Sequence, residues 1–171
     1  MLLSSHRNLE SHILILIRLS GTLLDSDKTL STRALYQQTF ATNVGGAAVL
    51  TAALLPLLQH SHQPRLVFVS SRMGSLDQTL NKETMYYATD YSAYDASKAA
   101  LNMLALNYVR VLDGKAKVNV ACPGLVQTKL TGFTPYGHSV EKGAKRIVEL
   151  ATLGEDGETG TFSDLGGRIP W

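Results

Sequence analysis

Apolar residues along this chain fall into short unbroken runs that alternate with longer stretches of helical spacing. Ile13 to Ile17 is a β-branched and leucine run, which reads as a strand buried on both faces. Arg65 to Val69 and Val118 to Ala121 repeat the pattern, and Thr161 to Ser163 is a weaker fourth strand. Between the first two, Ser20 to Thr32 is polar and turn-like. A long Ala- and Leu-rich helical pattern then runs from Arg33 to about Leu58. Gly45 and Gly46 interrupt it, and Pro56 marks its last turn or a kink. A second helix is predicted from near Ser92 to Leu112, with Leu101, Leu104, Tyr108 and Val111 on one face and Gly114 as its stop. A third, Ser139 to Leu153, places Val140, Ala144, Ile147, Val148 and Ala151 on one stripe. Strands alternating with amphipathic helices predict an α/β domain, with a parallel sheet covered on both faces.

Composition narrows the class without naming a task. With 171 residues the chain is one domain on length alone, and apolar and charged shares of 44% and 18% are those of an ordinary globular protein. A net charge of +2, with basic residues scattered, argues against nucleic acid or an anionic membrane as partner. Cys122 is the only cysteine, so no internal disulfide can form; standing before Pro123 at the end of an apolar run, it is expected to be buried and inert. The run Ile13 to Ile17 is too short for a membrane span or a signal-peptide core, so a soluble cytoplasmic protein is expected.

The chemistry-bearing residues sit where an open α/β sheet places reactive groups, beyond the carboxyl ends of strands. Ser70-Ser71 follows the second strand and Pro123-Gly124 the third. The helix between them opens with Tyr94-Asp95-Ala96-Ser97-Lys98, and residues four apart share a helical face. A phenol is a poor base at neutral pH. An ammonium beside it favours the phenolate, and a serine hydroxyl can hold the same carbonyl oxygen. Together they suit carbonyl reduction or alcohol oxidation, with a cofactor supplying or removing hydride.

The order Thr42-Asn43-Val44-x-Gly46, Val67-Phe68-Val69-Ser70-Ser71, Tyr94-x-x-x-Lys98-Ala99-Ala100-Leu101 and Pro123-Gly124-x-x-x-Thr128 resembles the short-chain dehydrogenase/reductase family, and within it the carbonyl-reductase-like members. The match runs from about Gln37 to the C-terminus. The resemblance implies a Rossmann-type doubly wound parallel sheet and NADP or NAD as cofactor. It implies Tyr94 as general acid/base, Lys98 as the residue that tunes it and holds the cofactor ribose, and Ser71 as the group orienting the substrate carbonyl, with Ser70 the alternative. Asn43 would fix a water in the proton relay, and Pro123, Gly124 and Thr128 would border nicotinamide and pyrophosphate. The substrate would be a small carbonyl compound or alcohol, and the two long helices would form a homo-oligomer interface.

The family opens with a strand, a Gly-rich turn and a helix that receives the pyrophosphate, and no such unit precedes Ile13. Ile17-Arg18-Leu19-Ser20-Gly21 stands where the family's Asn-Asn-Ala-Gly should fall. The chain is therefore expected to be a truncated, single Rossmann-like domain lacking the amino-terminal βαβ units. Gly154, Gly157 and Gly160 enclose Glu155, Asp156 and Glu158, and an acidic loop would repel a phosphate. His60 and His62 lack a third ligand at metal spacing and read as solvated loop residues. Met73, Leu76, Met85, Tyr86, Tyr87, Phe133 and Tyr136 are candidates for a substrate-pocket wall. Two functions are expected from these features: an NAD(P)-dependent oxidoreductase, or a non-catalytic relative acting through dimerisation.

Overall fold

The computed structural model describes residues 15–18 and 21–171. Strands β1 (Ile15–Arg18), β2 (Arg65–Val69), β3 (Lys117–Ala121) and β4 (Phe162–Asp164) lie side by side in that order, all parallel. A short β5 (Gly167–Arg168) closes the edge antiparallel to β4. Parallel neighbours need crossovers, and helices supply them. A helical rod made of α1 (Thr32–Phe40), a π turn (Ala41–Gly45) and α2 (Gly46–His60) joins β1 to β2. Helix α3 (Ser92–Val111) joins β2 to β3, and α4 (Val140–Ala151) joins β3 to β4.

The alternation of side chains along β2 builds both layers. Leu66 and Phe68 enter one core with Leu58, Leu101, Tyr108, Val118, Val120 and Phe162, beneath α2 and α3. Val67 and Val69 enter the other, with Ala121, Ile147 and Leu150 beneath α4. Because both faces are covered, every residue of β2 is buried, and the sequence reads as an unbroken apolar run. Asn119 is the polar exception inside β3. Its amide donates to the Glu158 carbonyl at 2.9 Å and its oxygen accepts from Thr161 N–H and hydroxyl, tying the loop before β4 to the sheet.

Several sequence expectations shift. The predicted strand begins at Ile15 among the described residues, Ile13 and Leu14 lying outside them, and it is not buried on both faces: it stands at the edge of the described sheet, with Ile15 41% exposed and Leu16 and Ile17 only partly buried. The two glycines at 45 and 46 do not break the long helix; a π turn carries it through. In α3 the buried line is Leu101, Ala105, Tyr108 and Leu112, and Val111 is 53% exposed, since it stands 100° round the helix from Leu112. In α4 the buried stripe is Gly143, Ile147, Leu150 and Ala151, whereas Val140, Ala144 and Val148 face out. The reason is Gly143: a Cβ there would lie 2.6 Å from Val126 Cγ2, so the helix makes its closest approach through its smallest residue. Strand β5, two residues long, carries no periodicity to read.

The rod Thr32–His60 is long and apolar enough by composition to cross a membrane. Its buried Thr39, Asn43 and Thr51, and the hydrogen bonds of Asn43 to two neighbouring segments, hold it in the α/β layer.

Candidate active site

Strands β2 and β3 run parallel with Val69 opposite Ala121, so the residues after each emerge on one side of the sheet. Ser70 continues the ladder, its N–H donating to the Ala121 carbonyl at 2.8 Å, and its buried hydroxyl faces the Lys98 carbonyl at 3.4 Å. Ser71 starts a 3-10 turn, Arg72–Gly74, by accepting from Met73 N–H at 3.2 Å. Of the two serines, Ser71 is the one whose hydroxyl acts on the Tyr94 phenol, favouring its ionised form.

The turn is held against α3 by Gly74. A Cβ on Gly74 would sit 2.7 Å from the Lys98 carbonyl carbon and Cβ, both inside contact distance. Asn102, one turn further along α3, donates to the Gly74 carbonyl at 3.1 Å. Helix α3 is anchored at its other end by Asp25, whose carboxylate accepts from Ala93 N–H at 2.9 Å. These two ties fix the helical face that carries Tyr94 and Lys98.

Both residues are buried, Tyr94 at 8% exposure and Lys98 at 4%. The Lys98 ammonium lies 5.5 Å from the centre of the Tyr94 ring and donates to the Val69 carbonyl at 3.1 Å. Burial pushes this ammonium down to about 8 from the ordinary lysine value. The expected lowering of the tyrosine is not what the structure gives. Burial pushes the Tyr94 phenol well above its usual range, with Cys122 and Asp95 adding to the rise and only the Ser71 hydroxyl opposing it. The phenol is thus held neutral, as a proton donor.

Asn43 stands in the π turn, a feature that often marks functional positions. Its amide donates to the Thr22 carbonyl at 3.0 Å and the Ser97 hydroxyl at 2.9 Å, and its oxygen accepts from Thr22 N–H at 2.7 Å. The Ser97 hydroxyl donates in turn to the Tyr94 carbonyl at 2.7 Å. Asn43 therefore reaches the tyrosine helix through Ser97. Gly21 completes this corner: a Cβ there would be 3.5 Å from Lys98 Nζ and 3.8 Å from Asn43 Oδ1, so its missing side chain keeps space open beside the ammonium.

Pro123 and Gly124 leave the carboxyl end of β3. Gly124 has φ of 75°, and a Cβ would strike the His138 ring at 2.8 Å, while His138 Nε2 lies 2.8 Å from the Pro123 carbonyl oxygen. Thr128 forms its own turn with Thr131 and Phe133 and makes no described contact with Tyr94 or Lys98. Cys122, just before this loop, is buried, and burial raises its thiol; Arg72 N–H donates to its sulfur at 3.3 Å. A cleft of about 130 Å³ opens beside the site, lined by Arg72, Met73, Thr84, Tyr86, Tyr87 and Asp95 among others. Of the apolar residues expected to wall a pocket, Met73, Tyr86 and Tyr87 line it. Leu76, Met85, Phe133 and Tyr136 do not, being 67 to 87% exposed. Thr22, Gly74 and His138 were not legible in the sequence; Gly21 was marked only by its place at the family's Asn-Asn-Ala-Gly segment, and Ser97 and Asn102 only by helical spacing from Tyr94 and Lys98.

Asp95 stands next to Tyr94 with one carboxylate oxygen buried and unpartnered among the described residues; one oxygen of Asp25 is in the same state. Burial raises the Asp95 carboxyl to about 6, and the charges of Asp25 and Asp90 contribute to the rise. A carboxyl whose folded value lies above its unfolded one favours the fold when protonated, so stability is lost as pH rises from about 4 through 6. Asp95→Asn should therefore be more stable than the parent at neutral pH by about 1 kcal/mol, after discounting for its half-exposed position. Urea unfolding at neutral pH and again below pH 4, where the difference should vanish, checks this.

Comparison with known proteins bears on family and fold. Residues 7–136 match the family model described as short chain dehydrogenase. The chain is 36% identical to a short-chain dehydrogenase of Penicillium roqueforti, over 84% of this chain and 59% of that protein. It is 32% identical to salutaridine reductase of Papaver somniferum, over 78% of this chain and 53% of that protein. The chain thus spans between half and three-fifths of the length of these curated relatives. In structure it is similar to an NADPH-bound carbonyl reductase from chicken fatty liver, with a TM-score of 0.77 at 22% identity, covering 95% of this chain and 67% of that one. With its motifs in order, its sheet partly Rossmann-like and its family model matched over most of its length, the chain belongs to the short-chain dehydrogenase family of oxidoreductases.

Proposed function

We propose that this chain carries the catalytic part of an NADP(H)- or NAD(H)-dependent oxidoreductase that interconverts a carbonyl compound and a secondary or primary alcohol. The observation that carries the reading is the convergence of Tyr94, Lys98 and Ser71 at the carboxyl end of β2, with the phenol held neutral. A neutral phenol donates a proton to the oxygen of a carbonyl as it is reduced; Ser71, on the same phenol, orients that oxygen. Lys98 supplies positive charge from a site where water cannot screen it.

The residues present fit a nicotinamide cofactor. Lys98 is a buried ammonium with one described acceptor, and Gly21 leaves space at its side, as a ribose hydroxyl would require. Lys98 would hold the ribose, and Pro123, Gly124 and Thr128 would border the nicotinamide and pyrophosphate. The bound cofactor would supply or accept the hydride. NADPH in the similar carbonyl reductase supports NADP as the first choice. The substrate would enter by the cleft beside Met73 and Asp95. A homo-oligomer through α2 and α3 is supported by Val49, Leu57, Met103 and Val111, each more than half exposed. The buried thiol of Cys122 suits a reducing, cytoplasmic setting.

The test is a fluorescence titration of the purified chain with NADPH and with NADH. Saturable enhancement of the nicotinamide emission is expected, tighter for NADPH. A folded sample that leaves the emission unchanged with both would overturn the cofactor assignment.

A further inference from the structure

We propose that the amino-terminal end of the sheet, remote from Tyr94, holds a second site that binds a small phosphate-class oxyanion. A cleft of about 200 Å³ opens there, where β2 and β3 begin. Its walls include His62, Arg65, Lys115 and Lys117, with Gly114, Thr159 and Glu155; of the acidic loop expected to repel a phosphate only the Glu155 carboxylate lines the cleft, Glu158 being paired with Arg146 and Arg168.

The charge balance is what points to a ligand. Arg65 is 3% exposed and permanently cationic, yet it pairs with no carboxylate among the described residues. Its guanidinium donates to the Leu153 and Pro64 carbonyls. Leu153 follows the end of α4, so the helix dipole compensates part of the charge, about half an elementary unit at most. A buried cation left without a full counter-charge is costly. Lys115 and Lys117 add two more cations with no ion-pair partner among the described residues. Glu155 does not serve them alone, since its carboxylate also accepts from the Gln63 amide at 2.5 Å. Gly114, with φ of 67°, turns the chain from helix α3 towards β3 at the mouth of the cleft.

A doubly charged tetrahedral anion would be drawn by the Lys115 and Lys117 ammoniums, with the partly compensated Arg65 behind them, in a cleft large enough to admit it. A monovalent halide would make weaker use of them. The site shares no residue with the candidate active centre, so the inference stands apart from the oxidoreductase reading.

Titration calorimetry of the full chain with inorganic phosphate, against sodium chloride at matched ionic strength, tests it. Saturable binding in the millimolar range or tighter is expected, with a rise in melting temperature that chloride does not reproduce. The double variant Lys115→Gln, Lys117→Gln changes two solvent-reaching side chains and should fold as the parent does; it should bind phosphate about tenfold more weakly. Lys98→Met, at the other end of the sheet, should bind it undiminished. Absence of saturable heat, equal affinity in the double variant, or loss of binding in Lys98→Met alone would each overturn the proposal.

Discussion

Tyr94→Phe is expected to lower kcat/KM for carbonyl reduction by roughly 10² to 10⁴, the usual contribution of a positioned proton donor. The substitution removes one oxygen and leaves the ring. The residue is only 8% exposed and its ring lies 5.5 Å from the Lys98 ammonium, so packing on α3 is preserved. What is lost is the phenol proton and its interaction with the Ser71 hydroxyl. Ser71 is only partly buried and still accepts from Met73 N–H, so it is not left orphaned. The melting temperature should therefore move by a few degrees at most while the rate collapses. Because burial raises the phenol, Tyr94 should keep its proton well into alkaline pH, where an ordinary tyrosine would begin to ionise, so a fall in the parent's rate above about pH 8 reports the Lys98 ammonium instead. Initial rates with NADPH against a panel of ketones and aldehydes, beside thermal melts of both proteins, measure the split. A phenylalanine variant that turns over as fast as the parent would remove Tyr94 from the mechanism.

The parts of this fold that were legible in sequence are those a single periodicity can encode. Arg65 to Val69 reads as a doubly buried strand because no polar residue interrupts it after Arg65, and all five residues are buried. Lys117 to Ala121 reads almost as well, although Asn119 required a loop contact that no local pattern shows. Tyr94 and Lys98 share a face because they are four apart on one helix. Pattern fails where burial depends on a partner far along the chain. Val140 and Val148 form a convincing stripe on α4, yet Gly143 takes the contact because Val126 stands opposite it. Gly74 looks like any loop glycine until the turn after Ser71 is seen pressed on the Lys98 backbone. The tyrosine shows the same limit in electrostatics. Spacing places an ammonium near the phenol, but only burial decides that the phenol rises rather than falls.

Lys98→Met is expected to stabilise the protein while abolishing cofactor binding, a pairing that a structural lysine would not give. The ammonium is 4% exposed, has no carboxylate partner among the described residues, and makes one hydrogen bond, to the Val69 carbonyl. Burial lowers it from 10.5 to about 8. A shift of that size corresponds to about 3 kcal/mol of strain on the charged form. Methionine keeps the unbranched stem and discards the charge; the Val69 carbonyl loses its donor at a cost of about 1 kcal/mol, leaving a net gain of about 2 kcal/mol. For a chain of this size that is a rise of about 4 to 8 °C in melting temperature. The pH dependence fixes the cause. Below about pH 8 the lysine is charged in both states, so the penalty is complete. Between about pH 8 and 10.5 the folded state releases its proton first, the parent gains stability, and the advantage of methionine shrinks. Melts of parent and variant at neutral pH and near pH 10, beside NADPH titrations of each, test both halves. If the variant melts lower than the parent at neutral pH, Lys98 is a strut of the fold and its charge is compensated. If it melts higher and still binds NADPH as tightly, the ammonium is strained without serving the cofactor. A higher melting point together with lost binding means that the fold keeps a buried, uncompensated charge at the expense of its own stability, because a ribose needs it there.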